Sequence, residues 1–358
     1  MGLGESDRHV ERTEDRLFCR LDVFENRIQQ FTSGSRLLGK KLLPPLPLED
    51  CGIWPFDESP KTFQEYIVSV NEDGTPIHYT CDPAVLDNLG KRPGMPHYLT
   101  AVHFRKAVLA KYYDHPEKYS VGDGYVGCAG LWHLRMDNDR DDGVIVFLGD
   151  LGRLAPEEQA YWKSFNVPPE GKLSATAWQR GFMAEPADPE RPDLLFKLKY
   201  TRLQESWEKR HGWPLFLTLH EADAHAWKRM RIPLTDSQAE FDDLVLALTK
   251  VLIDSLNEKA LAQELGGSLK DEKGIGKFER YLSSKGYKTK DRDIALLRVL
   301  QDLRSASTAH RKGEKFERIA RELKLAETSP STVFRQLLEQ VNLMLDELTS
   351  HFCPEDRQ

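Results

Sequence analysis

Arg304 and His310 are the pair in this sequence whose types and spacing best suit chemistry on a charged phosphorus centre. They lie in Leu303-Arg304-Ser305-Ala306-Ser307-Thr308-Ala309-His310-Arg311-Lys312-Gly313. An arginine is always charged and can hold a phosphate, whereas a histidine near neutrality can give or take a proton. With an ordinary pKa of about 6.5, histidine suits general acid–base work without a metal. The small residues between the two leave the backbone approachable, and Arg311 and Lys312 add positive potential beside them. On an ideal helix six residues turn through about 600°, which leaves the two side chains roughly 120° apart. Arginine's length, a distorted turn or a dimer interface would bring them together. The plainer role for the same residues is a surface arginine and a helix-terminal histidine near Gly313, favoured there by the helix dipole.

Other constellations carry less. Asp137-x-Asp139-x-Asp141-Asp142-Gly143 has the acids of a calcium loop, but its sixth position is Asp142 rather than glycine and its twelfth is Leu148. A solvated hairpin loop is the expectation. His220 and His225 are five apart, not the four that would put both rings on one helical face toward a metal. No cysteine or serine has the surroundings of an activated nucleophile, and no glycine-rich phosphate loop follows a strand. Trp132, His133, Asp150, Arg153 and Trp162 mark a third location for a site, within the most structured part of the N-terminal region.

Charge is distributed unevenly. The chain of 358 residues carries a net charge of −7, yet residues 266–325 hold 16 Lys/Arg against 9 Asp/Glu. That segment is therefore near +7 and the rest near −14, which reads either as a footprint for a polyanion or as lysine-rich helices with solvated faces. Five scattered cysteines without a C-x-x-C pair argue against a disulfide framework and against a zinc knuckle. No apolar run approaches a bilayer span, and the first residues lack the pattern of a signal peptide; a cytoplasmic protein without a membrane partner is expected.

The positioning elements follow from periodicity. The predicted fold class is α+β: a mixed α+β region over residues 1–235, then an all-α helical bundle over 236–353. Apolar Leu17, Leu21, Phe24 and Ile28 predict a helical arm over about 7–40. A strand is expected at 65–70 with a turn at 71–74, a helix at 98–113, and a hairpin joining 125–136 to 144–148. Pro156 and Ser174 are placed to open helices, and 214–219 reads as a strand. Downstream, an apolar stripe from Phe241 to Leu256 ends near Gly266 and Gly267. Further helices are expected at 275–285, from 291 through Leu303, at 314–325, and from Ser329-Pro330 through Leu348. Short connections between them imply a bundle.

The C-terminal third resembles the HEPN superfamily, in which arginine and histidine separated by four to six residues occur late in a helical bundle. Five residues separate Arg304 from His310. The resemblance implies a metal-independent endoribonuclease without a cofactor, of the kind found in bacterial anti-phage defence, abortive infection and toxin–antitoxin growth control. It further implies a homodimer through the bundle, with RNA as substrate and room for an operon-encoded partner. His310 would then assist proton transfer as a 2′-hydroxyl attacks the adjacent phosphorus, and Arg304 would stabilise the charged transition state, leaving a cyclic phosphate. Ser305, Arg311 and Lys312 would contact substrate. Ser305 stands where active members often carry asparagine or aspartate. Some members are inactive, so a non-catalytic dimerisation or nucleic-acid-binding protein is the alternative.

Overall fold

The computed structural model describes four N-terminal strands and residues 62–88, 90–308 and 329–354. Two compact units result, Met1–Thr62 and Phe63–Gln358. The first holds two antiparallel hairpins: β1 His9–Thr13 with β2 Arg16–Arg20, and β3 Val23–Phe31 with β4 Gly34–Lys41. The helical arm expected at 7–40 is thereby corrected. Four apolar residues at three- and four-residue steps cannot outweigh strand formers such as Val23, Ile28 and Phe31.

The second unit is α+β, with small antiparallel sheets followed by helices. The strand and turn expected at 65–74 are present, and the turn leads into a second strand: β5 Glu65–Val70 and β6 Pro76–Thr80 form a hairpin closed at Asn71–Gly74, with Gly74 at φ 83°. Residues 98–113 are not one helix. They supply β7 Ala101–Phe104, a 3-10 turn Lys106–Leu109 and the short helix α1 Ala110–Asp114. Val102, His103 and Phe104 are consecutive buried residues, the pattern of a strand covered on both faces rather than of an amphipathic helix.

The hairpin expected between 125–136 and 144–148 is also redrawn. β8 Tyr119–Gly122, β9 Tyr125–Cys128 and β10 Trp132–Arg135 form one meander. β11 Val144–Phe147 pairs instead with β7, which also takes the short β12 Asn166–Val167. Only the Asp137–Ile145 bridge survives of the expected pairing. Helix α2 Leu148–Leu151 follows β11, and α3 Pro156–Lys163 starts on its expected proline. Trp162 of α3 is fully buried against Phe104, their rings edge to face at 4.9 Å, and anchors this core. Helix α4 Ala175–Trp178 begins at Ser174, whose Oγ accepts from Ala177 N, and runs into a π-helical turn, Gln179–Met183.

Helices then take over. α5 Pro192–His211 adds a long helix to the expected elements, with Phe196, Tyr200, Leu203 and Trp207 recurring at helical spacing. After it, residues 214–219 form only the single bridge Phe216–Leu256 rather than a strand. α6 Ala224–Arg229 and α7 Gln238–Thr249 follow, and α7 continues into a π-helical turn, Lys250–Asp254. α8 Glu258–Glu264, α9 Gly274–Ser284, α10 Lys290–Thr308 and α11 Pro330–Phe352 complete the described helices. Gly266 and Gly267 end the α8 stretch at positive φ, and Ser329 Oγ caps α11 by accepting from Thr332 N. α11 packs along α5 and α10 along α7. One apolar core joins Leu203 and Trp207 to Leu248, Leu300 and Leu338, so the helical core extends upstream of residue 236. The helix expected at 314–325 lies outside the described residues, as do His310, Arg311 and Lys312.

Candidate functional site

Arg304 belongs to the last turns of α10. Ile294, Leu297, Leu300 and Leu303 bury one stripe of this helix, so the neighbouring position 304 falls on the flank of that stripe. Its Nη1 donates to both carboxylate oxygens of Asp254 at 2.7 Å. Asp254 closes the π-helical turn that extends α7, and such turns shift the phase of the residues after them. The two side chains are 34% and 42% exposed, a partly solvated pair worth no more than about 1 kcal/mol. Arg304 is thus held in place, and a phosphate would have to displace or share the Asp254 carboxylate. Ser305 Oγ donates to the Gln301 carbonyl at 2.8 Å, one turn back. The helix α10 continues through Thr308.

The positive segment is less bare than its charge count implies. Arg280 pairs with Glu272, Lys277 with Glu258, Lys285 with Glu264 and Arg298 with Glu279. Glu258, Glu264 and Asp254 all come from outside residues 266–325, so the fold brings acid to the basic segment. Among the described residues of that segment, Lys270, Lys273 and Lys288 have no ion-pair partner.

Of the N-terminal candidates, Trp132 and Trp162 both meet Tyr112, with ring centres 6.0 and 6.2 Å away, while Asp150, Arg153 and His133 have other partners. Trp162 Nε1 donates to Tyr112 Oη at 2.7 Å, and Tyr112 Oη donates to Glu158 Oε2 at 2.7 Å; Lys111 Nζ completes this chain 2.6 Å from Glu158. Burial, then the Glu158 contact, pushes the Tyr112 phenol far above its ordinary pKa, so it stays a donor. Asp150 instead accepts from Tyr98 Oη at 2.8 Å, with the Arg153 guanidinium 5.7 Å from the Tyr98 ring centre. His133 stacks on Tyr125 at 5.2 Å. His220 Nδ1 accepts from Ala222 N, while His225 Nδ1 donates to the Ala222 carbonyl, so each histidine braces the turn between them.

The acidic run at 137–143 is where sequence reasoning missed most. Asp137, Asn138 and Asp139 are buried, not solvated. Asp137 accepts from Ser174 N at 2.7 Å and Ser174 Oγ at 2.8 Å. Asp139 accepts from Thr176 Oγ, Glu190 N and Arg191 N. Arg191 in turn makes a two-point contact with Asp193, whose Oδ2 also accepts from Ile232 N. Nearby, burial drives the Lys106 ammonium down to about 7, with the Arg191 charge adding to the effect. This network joins the sheets to the start of α5. Its partners lie far apart in sequence, so the only local signal was the density of short acidic side chains.

Comparison with protein-family models, with curated proteins and with solved structures finds no match for this chain. No described helix is long and apolar enough to cross a membrane.

Proposed function

We propose that the chain is a metal-independent, RNA-cleaving effector acting in the cytoplasm as a homodimer through its helical bundle, in bacterial defence or growth control. The observation that carries this reading is Arg304 on a long bundle helix, on the flank of its buried stripe, six positions before His310. In this reading Arg304 exchanges Asp254 for a phosphate, and the carboxylate keeps the guanidinium oriented until RNA arrives. His310 moves the proton of the attacking 2′-hydroxyl, and Ser305, Arg311 and Lys312 hold the strand. Purified protein is expected to cut RNA in EDTA, leaving a 2′,3′-cyclic phosphate, and His310→Ala is expected to abolish the cut while the helical circular dichroism is retained. Equal cutting by the alanine variant would refute the proposal.

A second reading has a specific observation in its favour. Arg304 is already engaged by a carboxylate, and four other cations of the segment are paired with glutamates. A non-catalytic dimerisation or nucleic-acid-binding bundle would need no reactive arginine. Recovery of intact RNA after binding, with an affinity that falls steeply as salt rises, would favour it.

A further inference from the structure

A cleft of about 220 Å³ opens between the β8–β9 turn, β11 and the α4 segment, remote in sequence from Arg304. Its wall is apolar: Met136, Ile145, Phe147 and Leu173. Its floor carries the buried carboxylates Asp137 and Asp139. Both Asp139 oxygens are already accepting two hydrogen bonds, whereas Asp137 Oδ2 accepts one, from Ser174 N. Just outside the lining, next to Gly181, Phe182 stands edge-on to the lining residue Phe147 at 6.3 Å and stacks with Trp178 at 4.7 Å. Phe182 and Trp178 are 44% and 51% exposed, an unusual display for two large aromatics in contact. Trp178 ends α4 and Phe182 lies in the π-helical turn that follows, which ends at Ala184 in the left-handed region at φ 54°. Such turns and strained residues recur where a ligand is bound.

Charge at the cleft is divided. Arg180 pairs with Asp123, but the exposed Arg135 guanidinium has no partner among the described residues. A ligand that fits therefore has a flat ring for the apolar wall and for the aromatic pair that adjoins it at Phe147. It carries a ring donor for Asp137 and a single anionic group reaching outward to Arg135. The volume is below the roughly 300 Å³ of a drug-sized site, so it suits one ring system. Three carboxylates against two arginines in the lining disfavour a polyphosphate.

We propose that this cleft binds one nucleotide unit, a nucleobase with a single phosphate, by stacking at Phe182 and Phe147 and by ion pairing at Arg135. The proposal does not depend on the ribonuclease reading. The test is calorimetric titration of the full chain with the four ribonucleoside monophosphates, their triphosphates, the nucleosides and a tetraribonucleotide. At least one monophosphate is expected to saturate below ~1 mM and to bind more tightly than its triphosphate. Phe182→Ala is expected to weaken it by about fivefold or more, the scale of losing one stacking contact. Arg135→Gln is expected to weaken the monophosphate about tenfold while leaving the nucleoside unchanged. Both residues are at the surface, and retained thermal midpoints would confirm that the variants fold. The proposal is overturned if no monophosphate binds below ~1 mM, if both variants bind like the parent, or if only the tetranucleotide binds.

Discussion

Asp193 offers the sharpest test of how the sheets are joined to the helical core. It lies in the first turn of α5, is 2% exposed, and accepts from Arg191 Nε at 2.9 Å, Arg191 Nη2 at 2.8 Å and Ile232 N at 3.1 Å. Burial alone would raise its pKa, but the Arg191 charge and hydrogen bonds outweigh that and hold it at about 2, against an ordinary 3.8. The direction of that shift favours the carboxylate in the folded state, by on the order of 2 kcal/mol. Asp193→Asn removes the charge and turns an amide donor toward a donor-only guanidinium that is itself 10% exposed. Stranding a buried charge in this way costs about 3–5 kcal/mol. For a unit of this size that lowers the thermal midpoint by about 6 °C or more. The assay is thermal unfolding followed by circular dichroism and tryptophan emission, at pH 7 and down through the acid range. Because the folded pKa is depressed, the parent holds the full contribution above about pH 4 and loses it as pH falls toward 2. Asp193→Asn should lack that component. The double variant Arg191→Met with Asp193→Leu should recover much of the loss, since it removes both charges together. A midpoint change under about 2 °C for Asp193→Asn, or a double variant as damaged as the single, would refute the reasoning.

Four further outcomes are expected. Asp254→Asn should change stability by less than about 1 kcal/mol yet raise RNA affinity in a salt-dependent filter-binding assay, because phosphate no longer competes with a carboxylate for Arg304; unchanged affinity would count against Arg304 as a phosphate ligand. Lys106 is driven down to about 7, so the unfolded chain binds more protons between about pH 7 and 10 and stability should rise across that range. Lys106→Met should flatten that slope in thermal midpoints. Gly152→Ala would put a methyl 2.1 Å from the Cys81 carbonyl oxygen, with Pro83 also in the way, and should cost about 2–3 kcal/mol in urea denaturation. Ser329→Ala removes the α11 cap and should cost about 1 kcal/mol by the same measurement.

What could be read from the sequence follows from the range of the forces involved. The ends of α11 and the α8 stretch were legible because Ser329-Pro330 and Gly266-Gly267 act within one helical turn. The interior of α10 was legible because Ile294, Leu297, Leu300 and Leu303 repeat at helical spacing. α5 carries the same kind of stripe but also many charges, which dilute its apolar face in the sequence. β7 was not legible, because its partners Val144–Phe147 and Asn166–Val167 lie about 40 to 65 residues downstream and three of its four residues are buried in succession. The acidic run at 137–143 misled for a related reason: its carboxylates accept backbone and hydroxyl donors 37 to 52 residues away. A cluster of acids normally implies water, and only partners supplied by the fold reverse that preference. The same logic bears on Arg304. A positive segment in sequence becomes a lattice of ion pairs once α8, α9 and the end of α7 deliver their acids, so affinity for a polyanion depends on exchange at those pairs rather than on net charge. Neutralising Asp254 is therefore a more searching test of the RNA-cleaving reading than adding or removing distant lysines.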